Sequence, residues 1–119
     1  MEFLNKIELR GVVGRSDINS YNGHHVCNFS VVTENTAVDR ELGTTVETLW
    51  FNVSAWDGVQ GLDDFTLIQK GSWVRVIGRL RVRKYVTQEN EERVSLEVLA
   101  RGVEILPKED LQMSPQRDY

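Results

Sequence analysis

The sequence predicts an all-β fold, a five-stranded Greek-key barrel with one short helix between strands three and four, on three observations. Five segments alternate apolar and polar residues with period two and are separated by turn-rich stretches. Between the third and fourth of them, the segment 57–70 spaces its apolar residues as a helix does. Gly78 interrupts the fourth segment, and a glycine inside a strand marks the bend or bulge that a small barrel needs at its corners.

Strand one is expected over residues 5–15, NKIELRGVVGR, where Ile7, Leu9, Gly11 and Val13 alternate with Lys6, Glu8, Arg10 and Val12. The following SYNGHH carries an Asn-Gly turn signal, so strand two, VCNFSVVT over 26–33, forms a hairpin with it and turns Cys27, Phe29 and Val31 to one face. ENTAVDRELGTTVET has no sustained period and reads as a long loop or an extended hairpin tip. Strand three, LWFNVSAW over 49–56, directs Leu49, Phe51, Val53 and Ala55 inward, which leaves Trp50, Asn52, Ser54 and Trp56 on the other face. In DGVQGLDDFTLIQK, the spacing of Leu62, Phe65 and Ile68 predicts one short helix opened by Asp63 and Asp64, whose carboxylates suit free N–H groups at a helix start. Strand four, KGSWVRVIGRLRVRKY, places Val74, Val76, Leu80 and Val82 inward; Trp73, at its start beside the helix end, is assigned to packing. After the polar tip TQENEER, strand five, RVSLEVLARGVEIL, turns in Val94, Leu96, Val98 and Ala100. This element order is that of an OB-fold, with an SH3-like barrel carrying a helical insertion as the runner-up. The domain spans 1–106, and 107–119 is expected to be a short mobile tail.

The 119 residues amount to one domain with a proper core. No apolar run approaches the ~20 residues of a membrane span, and the N-terminus lacks the basic start and long apolar stretch of a signal peptide. Cys27, the single cysteine, is expected to be a buried, inert thiol, consistent with a reducing compartment. The net charge of -4 hides an asymmetry: Lys70–Gln88 contains six cations and no acid, while the rest of the chain has eight cations against 18 acids. An acidic body with one cationic strip points to an anionic partner.

That strip centres on GRLRVRKY, residues 78–85, where Arg79, Arg81 and Arg83 alternate with Leu80 and Val82 and are followed by Lys84 and Tyr85. Three like charges on one strand face repel unless something anionic lies across them. Beside the tryptophans of strand three, these residues supply rings for stacking on bases and cations for tracking phosphates, the two requirements of single-strand binding. No recognition helix suited to a major groove is present. Catalysis finds little support: His24 and His25 are adjacent in a turn without further ligands at metal spacing, and no nucleophile or phosphate-loop motif occurs, so no enzyme activity, metal or cofactor is expected.

In order and spacing, NKIELRGVVG, NFSVVTE, TLWFNVSAWD, KGSWVRVIGRLRVRKY and ERVSLEVLARGVEIL resemble the bacterial single-stranded DNA-binding protein family over residues 4–106. The resemblance implies stacking of bases on Trp50, Trp56 and Tyr85 and contacts of Arg81 and Arg83 with the strand. Arg79 and Lys84 join these as expected single-stranded DNA ligands from the strand pattern. It further implies a cytoplasmic, nucleoid-associated protein of replication, recombination or repair, with replication or repair proteins as partners and no membrane. The family's usual homotetramer is a dimer of dimers, with strand one and its Lys6, Glu8 and Arg10 at the dimer contact. Two features depart from the family pattern. Where a further stacking tryptophan is common, this chain has NTAVDR, with Ala37 or Val38 nearest the place. It also stops at SPQRDY, without a Gly/Gln-rich linker and acidic Pro-Phe tip, so the expectation is a shortened relative or a truncated chain, without recruitment through such a tip. The alternative is a primosome-type OB interaction module with weak DNA affinity. An oligosaccharide binder would use the rings but not the arginine row.

Overall fold

In the computed structural model, which describes residues 1–107, the chain runs β1 (Ile7–Tyr21), β2 (His24–Asp39), β3 (Gly43–Trp56), a 3₁₀ turn (Phe65–Leu67), β4 (Trp73–Val86) and β5 (Glu92–Ile105). Asn22 and Gly23 both adopt positive φ, 51° and 81°, and form the tight turn between β1 and β2, a geometry whose twist matches that of paired strands. β1 pairs antiparallel with β2 and β4, β2 with β3, and β4 with β5. A short parallel contact, Val53 beside Val98 and Ser54 beside Leu99, closes the barrel in the order β1-β2-β3-β5-β4. This is the five-stranded OB arrangement expected from the element order. The expected tail lies outside the described residues from residue 108 on.

The core follows the alternation. Leu9 and Val13 of β1, Phe29 and Val31 of β2, Val53 and Ala55 of β3, Val74 and Val76 of β4, and Val98 and Val103 of β5 converge in one cluster. Valine dominates because its stiff branched side chain packs well on a pleated surface. Cys27 is fully buried with its Sγ 3.3 Å from Ser16 Oγ, and burial pushes its thiol up, away from the reactive thiolate. Among the described residues, no helix is long and apolar enough to cross a membrane.

Two expectations change. The segment after β3 forms only a 3₁₀ turn, for a steric and a topological reason. Gln60 is drawn onto β5, donating to Arg101 O and accepting from Val103 N, and Gly58 and Gly61 both take φ of 88°. Too few residues remain to repay the nucleation of an α-helix. Leu62, Phe65 and Ile68 nevertheless pack on the core. Their spacing of three suits a 3₁₀ repeat. Asp64 caps the turn, accepting from the Thr66 amide at 2.9 Å and its hydroxyl at 2.5 Å, and these bonds hold its carboxyl below its usual value.

The second change concerns the strand ends. Leu49, Leu80, Val82, Val94 and Leu96 are exposed instead of core. The β2–β3 ladder extends to Asp39 beside Gly43, and the β4–β5 ladder to Val86 beside Glu92, whereas β1 meets β4 only from Ile7 to Val12. Both hairpins therefore project past the closed part of the barrel as two-stranded arms. Alternation continues along them, but neither face meets a second layer.

Candidate nucleic-acid interface

The outer face of β3 carries Trp50, Asn52, Ser54 and Trp56 because Val53 and Ala55 between them point into the core. The two rings are six residue steps apart, or roughly 20 Å along an extended strand. Cross-strand partners on β2 complete the face: Val32 beside Trp50, Ser30 beside Asn52, Asn28 beside Ser54, and Val26 beside Trp56. Ser54 Oγ donates to Asn28 Oδ1 at 2.9 Å.

Trp50 is 64% exposed, with its indole resting on Gly14. A β-carbon at Gly14 would collide with that ring, and the β1–β2 register shifts between Val13 and Ser16, at the same place. The irregularity and the missing side chain together seat one edge of the indole and leave most of the ring open. Trp56 is half-buried. It lines a cleft of about 480 Å³ with Asn28, Ser54, Arg81, Arg83 and Glu97. Tyr85 is exposed on the β4–β5 arm, on the same strand face as Arg81 and Arg83 by alternation. Lys84 also borders the cleft. Trp73 is half-buried at the start of β4, away from this cleft.

Glu97 of β5, absent from the sequence-based site, is paired directly opposite Arg81. Its carboxylate is only 5% exposed, accepts from Arg81 Nε at 2.5 Å and lies 4.0 Å from Arg83 Nη1. Part of the repulsion in the arginine row is thus relieved inside the chain. Arg15 of β1 is a second addition: its backbone amide donates to Ser30 Oγ, and its guanidinium reaches Asn52 Oδ1 at 3.3 Å and Asp17 at 3.6 Å. Both follow from register and could be found in the sequence only after strand pairing was known.

Arg79 is separated from Arg81 and Arg83. It lines a different cleft, beside the N-terminal segment, with Lys6 and Arg101. Of the strand-one charges, Lys6 lies in that segment, Arg10 stands exposed beside Arg75, and Glu8 accepts from Arg75 Nε at 2.9 Å. The Arg75 guanidinium holds the Glu8 carboxyl below its usual value. His24 and His25 each place Nδ1 3.9 Å from Asp57, whose carboxylate accepts the His25 amide. Among the described residues, no group of three or more His, Cys, Asp or Glu gathers as a metal site.

A family model described as the Single-strand binding protein family matches residues 4–106. The single-stranded DNA-binding proteins of Neisseria meningitidis serogroups A and B are each 33% identical to this chain over 105 residues, covering 87% of it. The chain spans 60% of their length. Single-stranded DNA-binding protein 1 of Xylella fastidiosa is 31% identical over 111 residues, covering 91% of this chain and 81% of that protein. Among solved structures, the Plasmodium falciparum SSB in complex with ssDNA superposes with a TM-score of 0.74 at 28% identity, covering 90% of this chain and 98% of that one. A Thermus aquaticus single-stranded DNA-binding protein has the same fold, with a TM-score of 0.73 at 18% identity over 90% of this chain and 52% of its own.

Proposed function

This chain belongs to the single-strand binding protein family, and from that premise we propose that it binds single-stranded DNA with little regard to sequence. The observation that carries the proposal is the open β3 face, with a ring at each end, beside a cleft walled by Arg81 and Arg83. Bases stack on Trp50, Trp56 and Tyr85, which accept any base because every base has a π-face. Arg83, Lys84 and the free edge of Arg81 hold the phosphates, while Asn28, Asn52 and Ser54 offer polar contacts between the rings. The role is protection and organisation of exposed strands during replication, recombination or repair, in the cytoplasm with the nucleoid, without catalysis. Replication or repair proteins are the proposed partners. Assembly is proposed as a homotetramer of two dimers, with Glu8 and Arg10 at the dimer contact and Lys6 at its margin. Several faces on one particle raise the effective concentration of a wrapped strand.

One observation favours the second reading, a primosome-type module with weak DNA affinity: Glu97 withdraws charge from the middle of the arginine row. Titration of tryptophan fluorescence with oligothymidylate at two salt concentrations separates the two. Strong quenching, with a loss of ~1–3 kcal/mol for Trp50→Ala and for Trp56→Ala, supports stacking. Unchanged affinity in both variants would sink it. Light scattering reads the assembly: a mass of four chains fits the tetramer, and two chains fit the primosome-type dimer.

A further inference from the structure

Among the described residues, three cations without an acid partner gather outside the aromatic groove. Lys6, Arg79 and Arg101 line one cleft of about 380 Å³ whose apolar floor is the half-buried Leu99 and Ala100, with the exposed Leu4 at its rim. No acid lines it. Among the described residues, no carboxylate oxygen comes within 4.0 Å of any of the three cations. The groove, by contrast, sets Glu97 against Arg81 and Arg83.

The cleft is held open by specific chemistry. Asn5 clamps the backbone of Leu80, donating to its carbonyl at 2.7 Å and accepting its amide at 3.0 Å. That pair imitates a strand ladder and fixes the N-terminal segment against β4, bringing Lys6 beside Arg79. Gly78 forms part of the wall, where a β-carbon would collide with the Leu99 carbonyl oxygen. The register shift between Ile77 and Gly78 occurs there. Arg79 precedes Arg81 on β4 by one two-residue step, roughly 6.6 Å, so a strand leaving the groove at Arg81 meets this separate cleft next.

We propose that this cleft is a second phosphate-binding subsite for the single-stranded DNA that leaves the aromatic groove, with Arg79 and Arg101 contacting the sugar–phosphate chain and the apolar floor receiving a sugar or a base. The proposal rests on the groove reading above. A long strand crosses the root of the β4–β5 arm from Arg83 past Arg79 to Arg101. A strand short enough to be held by the rings does not reach Arg101.

The test compares Arg101→Ala with the parent chain on oligothymidylate of about 8 nucleotides, within the ~4–16 that one OB face covers, and on a strand about four times longer. For the short strand, affinity should stay within about twofold. For the long one it should fall at least about threefold, as expected for loss of one charge-assisted contact, with the salt slope reduced by at least roughly 0.7. Arg101→Lys should restore most of the slope, and Arg79→Ala combined with Arg101→Ala should lose more than Arg101→Ala alone. Unaltered thermal melting checks the fold. Equal affinity of Arg101→Ala and parent on both lengths, with the parent's tryptophans still quenched, would overturn the subsite alone. An equal loss on both lengths places Arg101 in the groove and also overturns it. If oligoglutamate binding depends on Arg101 while long oligothymidylate binding does not, the cleft belongs to an acidic protein partner instead. No binding of either oligonucleotide by the parent overturns the groove reading itself.

Discussion

Strand β4 serves two purposes on either side of Gly78. From Val74 to Ile77 it is paired on both edges, to β1 and to β5, and Val74 and Val76 are fully buried. From Arg79 to Val86 it pairs with β5 alone, and Val82 is 55% exposed. The alternation of side chains is similar in the two halves. What differs is whether a second layer faces them. The closed half supports the domain, and the projecting half can carry several guanidiniums because folding does not depend on burying it.

The largest effect expected from this contrast is on stability. Val76→Ala removes two methyl groups from a closed core and should cost about 2–3 kcal/mol, whereas Val82→Ala should stay within about 0.5 kcal/mol. Urea unfolding of the two variants measures the difference. Similar losses at both positions would mean that the arm is covered in the assembled protein.

A smaller effect sharpens the functional side. Glu97→Gln keeps the side chain's shape and removes the charge that opposes Arg81 and Arg83. Binding of oligothymidylate should tighten and its salt slope steepen by roughly 0.7, while stability falls by about 1 kcal/mol as a charged hydrogen bond is lost. Weaker binding would show instead that Glu97 holds Arg81 in the pose the strand requires.

The smallest effects are in acid. Hydrogen bonding and attraction from Arg75 hold Glu8 below its usual value at the β1–β4 seam, and the amides of Leu42 and Glu41 do the same for Asp39 at the β2–β3 arm tip. Folded values below unfolded ones make each contribution complete above the ordinary carboxylate range. It is lost as the pH falls through the folded value. Carboxyl NMR titration should find both among the most acidic groups of their type, and Arg75→Ala should return Glu8 toward its ordinary value without moving Asp39. A concerted shift of both would show that the seam and the arm are coupled.

Much of the face was legible because its signals are local. Trp50 and Trp56 could be assigned together from the alternation with Phe51, Val53 and Ala55, the Asn22-Gly23 turn depends on positive φ that two adjacent residues supply, and the Gly78 irregularity falls where only a residue without a β-carbon fits beside the Leu99 carbonyl. Helical periodicity misled over 57–70, since the spacing of Leu62, Phe65 and Ile68 also fits a 3₁₀ turn, and the capture of Gln60 by β5 is a long-range event.

By itself, the sequence determined the strands, their inward and outward residues near the barrel, and the collection of rings and cations on β3 and β4, because period two is a property of neighbouring residues. Tertiary structure alone decided that the strand ends project as arms, that Gly14 seats Trp50, that Glu97 opposes Arg81, and that Arg79 turns to a cleft with Arg101 and Lys6. Those outcomes depend on register between segments far apart in the chain, and a shift of one residue in register moves every side chain to the other face.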